Sequence, residues 1–85
     1  SMEPENAKAH VILGNIAGRS DDYQNAEFHF KEALTLDPTL HEPHKNLAVL
    51  RYREKKLTEA KVHYRDALRL GAPADPALEE ALDIN

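Results

Sequence analysis

Cysteine is absent from this 85-residue chain, which rules out disulfides, thiolate nucleophiles and cysteine zinc sites. Glycine is scarce: Gly14, Gly18 and Gly71 lie too far apart to form a phosphate-cradling loop. No run approaches the roughly 18 apolar residues that a membrane-spanning helix needs. No segment alternates apolar and polar residues as a half-buried strand would. Positive charge is in deficit: the net charge is −4, the wrong sign for general nucleic-acid binding and too mild to name a partner. Catalytic constellations are missing too. Ser20 and Thr58 stand near expected helix ends, where a hydroxyl serves as a cap. Glu27, Glu32, Glu59 and Asp66 fall on exposed helical registers, and Glu79-Glu80 sits on a short terminal helix. None forms the desolvated pair that acid–base chemistry requires. A chain of this length is one domain with a small core, and an enzyme-sized cavity is not expected inside it. No catalytic residue is assigned.

What the chain does contain is a repeat. Aligning residues 7–40 with 41–74, 34 places on, gives eight identities. They are His10/His44, Leu13/Leu47, Arg19/Arg53, Ala26/Ala60, His29/His63, Ala33/Ala67, Leu34/Leu68 and Leu36/Leu70. Ordinary residue frequencies give about two. Gly14/Ala48, Phe30/Tyr64, Lys31/Arg65 and Glu32/Asp66 match in type. A period in this range means stacked supersecondary units, which work through extended surfaces rather than closed clefts.

The punctuation predicts five helices. Pro4 suits a first helical turn, and Ala9, Leu13, Ile16 and Ala17 follow helical spacing until Gly18 and the polar run from Arg19 to Asp22. Asp21 or Asp22 caps a second helix carrying Tyr23, Ala26, Phe30, Ala33 and Leu34, which Asp37-Pro38 ends. A third starts near Glu42 and Pro43, with Thr39–Glu42 reading as a capping box, and carries Leu47, Val49 and Leu50. After the turn at Glu54–Lys56, a fourth carries Leu57, Ala60, Tyr64, Ala67 and Leu68 and stops at Gly71. Asp75-Pro76 starts a fifth that carries Leu78, Ala81 and Leu82.

These residues resemble the tetratricopeptide repeat. Leu13-Gly14 and Leu47-Ala48 match its Leu-Gly/Ala step, Ala26 and Ala60 its small residue, and Phe30 and Tyr64 its aromatic. Ala33-Leu34 and Ala67-Leu68 match its Ala-Leu step, and Pro38 its closing proline. His10 and His44 stand where the family usually has tryptophan, and Ala17 and Arg51 where it often has tyrosine; Gly71-Ala72-Pro73 replaces the second closing proline. The resemblance implies an all-α, short solenoid of two antiparallel helix pairs plus a capping helix. Its expected parts are an extension over 1–6, repeats over 7–40 and 41–74, and a capping helix and tail over 75–85. Ser1 ahead of Met2 looks like a cleavage scar, so the chain is expected to be a piece of a longer protein. It shows no targeting segment, which leaves its compartment open, cytoplasmic by default.

In the family, first helices of successive units line a concave surface. Carried over, that surface takes Lys8, Val11, Ile12, Asn15 and Arg19 from the first unit, and Lys45, Asn46, Val49, Tyr52 and Arg53, beside Glu42, from the second. The implied function is a protein–protein interaction module holding an acidic peptide with apolar anchors on Val49 and Tyr52. Alternatives are a structural unit that self-associates or stacks on further repeats, or a regulatory appendage of a larger enzyme. Asn15 and Asn46 have the spacing of family members that clamp a terminal carboxylate, but Val11, Pro76 and Glu80 replace that clamp's basic groups. Of the five histidines, His41 and His44 are three apart and share a helix face without a third ligand in register. The other pairings follow the repeat, so no metal or cofactor is expected.

Overall fold

The computed structural model describes residues 4–84. The expected extension therefore lies outside the described residues up to residue 3, and its last residues belong to the first helix. The helices are α1 (Pro4–Arg19), α2 (Tyr23–Leu36), α3 (Glu42–Arg53), α4 (Leu57–Arg69) and α5 (Pro76–Ala81). There is no strand among the described residues. Helices α1 and α2 form one hairpin, α3 and α4 the second, and α3 packs on α2 to join them. This is the expected all-α arrangement of two antiparallel pairs and a terminal helix.

Small residues set the hairpin spacing. A Cβ built on Gly14 would stand 2.5 Å from the Phe30 ring, so the ring occupies the space a side chain would need. Ala48 faces Tyr64 in the corresponding place and is fully buried with it. Ala26, Phe30, Leu47 and Leu50 form the seam between the hairpins. Ala48, Ala60, Tyr64, Leu78 and Leu82 form a second cluster, where α5 closes the far end. The terminal helix thus covers surface left by both α3 and α4.

The turns show why the punctuation works. Within each hairpin the chain crosses a left-handed residue, Asp21 (φ 59°) and Lys55 (φ 64°), one repeat apart. In each, the N–H one residue further on reaches back to a carbonyl in the closing helix: Asp22 to Ala17 at 2.9 Å and Lys56 to Arg51 at 2.8 Å. This is the Schellman arrangement, which satisfies carbonyls that the helix end leaves free. Helix α1 therefore runs through Gly18 and stops at Arg19, one residue beyond the glycine expected to break it. Gly71 (φ 105°) performs the same turn after α4.

Two caps are as expected. Asp22 accepts from the Asn25 N–H at 3.3 Å, and Asp75 from the Leu78 N–H at 3.1 Å. The capping box ahead of α3 does not form. His41 is the N-cap without a side-chain bond, while the Thr39 N–H and hydroxyl both donate to the Asp37 carboxylate, at 3.0 and 2.6 Å. A residue beside proline, held extended by Pro38, offers Thr39 a nearer acceptor than the helix does. Thr58 lies inside α4, whose N-cap is Lys56, so its hydroxyl is not at the capping position.

Candidate functional site

Helices α1 and α3 are in contact and together build the expected groove side. Residues Asn15, Arg19, Asn46, Val49 and Arg53 line an open cavity of about 340 Å³, floored by Gly14, Gly18, Phe30 and Leu50. The Asn46 amide donates to the Asn15 carbonyl oxygen at 2.9 Å and ties α3 to α1. Arg53 reaches across the same gap and donates to the Gly18 backbone carbonyl at 3.2 Å. Both arms of the cavity are thus held by polar side chains that keep further hydrogen-bonding capacity. Arg19 is exposed and makes no ion pair among the described residues.

Half of the expected groove set is gathered here and half is not. Lys45 is taken up by the Asp75 carboxylate at 3.0 Å, so its charge helps to pin the start of α5. Asp75 is held below the usual carboxylate range by that bond from Lys45 and by its capping bond from Leu78. Lys8 lies toward the α2–α3 connection, where it adds a small attraction to an Asp37 carboxyl already lowered by the bonds from Thr39. Val11 is half-buried and does not line the cavity. Ile12 is exposed, as are Leu13 and Ile16, and does not line the cavity. Tyr52 is exposed and lines a second open depression with Arg53, Lys55 and Leu57. Arg53 borders both depressions, so the two are contiguous.

The sequence reading missed an ion cluster behind the groove. Arg51 is buried on α3, where it meets Glu27 of α2 at 2.7 Å and Glu54 at 2.8 Å. Its Nε lies 3.4 Å from Glu59 of α4 without hydrogen-bond alignment. The bonds from Arg51 and Lys31 lower the Glu27 carboxyl to about 2. Glu27 and Glu59 are therefore not simply a solvated face. The signal for this was the arginine at a position where apolar packing is expected.

The histidines also group differently from the reading along one helix. His10 on α1 meets His29 on α2, Nδ1 to Nδ1, at 3.0 Å. His44 on α3 meets His63 on α4 in the same register at 3.5 Å. Asp66 joins the second pair: one ligand atom from each of the three residues lies within 4.8 Å of the others. Burial lowers both His44 and His63 from their ordinary value. Asp66 is lowered chiefly by a hydrogen bond from Arg69.

This geometry can be set beside known proteins. A family model described as the tetratricopeptide repeat matches residues 7–40. Residues 7–40 are a tetratricopeptide repeat. The hairpin α3–α4 follows it with the same small-residue and aromatic contacts. The chain is also similar to a protein O-mannosyl-transferase, F38B6.6, of Caenorhabditis elegans, with 33% identity over 70 residues. That likeness covers 82% of this chain but only 10% of the relative, so the chain spans about a tenth of its length. No solved structure matches. Repeats of this kind generally mediate protein–protein interaction. No helix among the described residues is long and apolar enough to cross a membrane.

Proposed function

We propose that the chain is a protein–protein interaction module that holds an extended, acidic peptide across the α1–α3 cavity. The observation that carries this reading is that Arg19 and Arg53 line the same cavity as two asparagine amides. Amides suit a peptide backbone, and the arginines suit carboxylates on it. Val49 offers an apolar floor, and Tyr52 a second anchor in the adjoining depression. Anchors contribute most of the affinity, while the arginines govern association rate and salt sensitivity. The original groove set narrows accordingly to Asn15, Arg19, Asn46, Val49, Tyr52 and Arg53.

The test uses a synthetic peptide library enriched on the wild-type chain. Binding is then measured for Arg19→Glu with Arg53→Glu, and for Tyr52→Ala, at low and high salt. The expected result is acidic peptides with spaced apolar residues, weakened at least tenfold by the charge reversals. Equal binding by both variants at every salt level would place the peptide on another surface.

A second reading has its own support. One face of α1 exposes Leu13 and Ile16, the register that α3 uses through Leu47 and Leu50 to pack on α2. That face supports stacking on a further helix pair or on another copy. Concentration-dependent mass in analytical ultracentrifugation, abolished by Leu13→Glu with Ile16→Glu, tests it. The likeness to a small part of a much longer transferase supports a role as an appendage of a larger enzyme.

A further inference from the structure

We propose that His44, His63 and Asp66 form a site for a zinc-class divalent ion that staples α3 to α4. The first support is distance. Zinc–nitrogen bonds of about 2.0–2.1 Å in a tetrahedral site place two ligand atoms about 3.3–3.4 Å apart. The His44 and His63 Nδ1 atoms stand 3.5 Å apart, close to that edge. A ring-to-ring hydrogen bond at 3.5 Å is long and weak, so it competes little for the two nitrogens.

The second support is an internal control. In the first hairpin, His10 and His29 occupy the same register and do sit at hydrogen-bond distance, 3.0 Å. The position of Asp66 is there held by Glu32, and among the described residues the only such three-ligand group is His44, His63 and Asp66. The second pair therefore stands wider than the first, and only there does the carboxylate at this position come close enough to join the group. His63 and Asp66 are three apart on α4, which turns both toward one side, and His44 meets them from the first turn of α3.

The chemistry of the set is consistent with the ion. Two imidazoles and a carboxylate are borderline donors, the kind that favours zinc over magnesium or calcium. All three side chains are half-buried, which leaves a fourth position to solvent. The competing charge is Arg69, which donates to Asp66 at 2.9 Å. Arg69 is largely exposed, so this pair holds Asp66 weakly and yields to a divalent ion. Arg51, the other nearby cation, is already compensated by Glu27 and Glu54, with Glu59 close by.

The experiment is calorimetric titration of the tag-free chain with zinc, with magnesium as control. One zinc per chain is expected, with a rise in melting temperature and no response to magnesium. His44→Gln and His63→Gln should each weaken binding at least tenfold, and His10→Gln with His29→Gln should leave it unchanged. Asp66→Asn should weaken it, and Arg69→Gln, which frees the carboxylate, should strengthen it. Circular dichroism checks the helix content of each variant. NMR of the wild type reads the same site without mutation: zinc should move the ring signals of His44 and His63 and spare those of His10 and His29. Absence of saturable zinc binding would overturn the proposal. So would binding that survives loss of both His44 and His63, or ring shifts confined to His10 and His29.

Discussion

The hairpins α1–α2 and α3–α4 share a register, yet equivalent residues live in different surroundings. Leu47 is 1% exposed and Leu50 3%, while their counterparts Leu13 and Ile16 are 46% and 55% exposed. The difference lies in the neighbours. Helix α3 has α2 beside it, and no described helix lies on the corresponding side of α1. Phe30 meets the next hairpin and needs no polar contact; Tyr64, in its place, ends against α5 and bonds to it. Ala17 corresponds to Arg51, the centre of a three-carboxylate cluster. A repeat therefore specifies the backbone twice, and each unit adapts its side chains to what it meets.

The largest effect should come from truncating the leucines. Leu47→Ala removes a side chain from the closed seam and should cost about 2–5 kcal/mol. Leu13→Ala, half-exposed, should cost under about 1 kcal/mol, since much of its surface is already in water. Urea denaturation of both variants measures the gap. Equal losses would mean that α1 is covered in solution, by another copy or an adjoining segment.

Arg51 is the next contrast. Arg51→Met should cost about 1–2 kcal/mol, below the usual figure for a broken buried pair, because Glu27 and Glu59 retain access to water. The pH dependence has a defined sign. Glu27 falls from 4.5 unfolded to about 2 folded, so its contribution is complete above pH 4.5 and disappears as pH drops toward 2. Wild type should therefore lose stability over that window, and Arg51→Met should lose less. Parallel acid titrations of the two proteins would remove this account of Glu27.

The architecture was legible because glycine, proline and aspartate marked most helix ends and small residues marked the contacts at Gly14, Ala26, Ala48 and Ala60. The groove was only partly legible. Five of the residues placed there by register, Asn15, Arg19, Asn46, Val49 and Arg53, line one cavity. Register could not show that Lys45 is paired with Asp75, the cap of α5, thirty residues on. Ile12, also placed there by register, is exposed but does not line the cavity. The His44–His63–Asp66 group draws its members from two helices, which spacing along one helix does not show.

Tyr64 offers a smaller, sharper contrast with Phe30. Its hydroxyl donates to Glu79 at 2.5 Å and accepts from the Asp75 N–H at 2.9 Å, both at the α5 junction. Tyr64→Phe should cost about 1–2 kcal/mol, because it leaves a partly buried N–H without its acceptor. Hydrogen exchange should rise over 76–82 and stay unchanged over α1 and α2. Uniform acceleration along the chain would show that the hydroxyl supports the whole fold rather than the cap.

The smallest effect concerns the turns, where side-chain contacts play no part. Lys55 and Asp21 hold left-handed conformations in the same register, and Gly71 holds one after α4. A lysine pays a steric penalty there that glycine avoids, partly offset by the greater freedom of glycine in the unfolded chain. Lys55→Gly should therefore stabilise by about 0.5–1 kcal/mol. Asp21→Gly should gain less, since aspartate tolerates this region better than lysine and its neighbour Asp22 already caps α2. Gly71→Ala should run the other way. A Cβ there meets nothing within 4 Å, so the loss would come from the backbone alone. Thermal melts of the three variants rank them. If Lys55→Gly destabilises while Gly71→Ala does not, the first turn is held by its lysine side chain, and the equivalence between the turns fails.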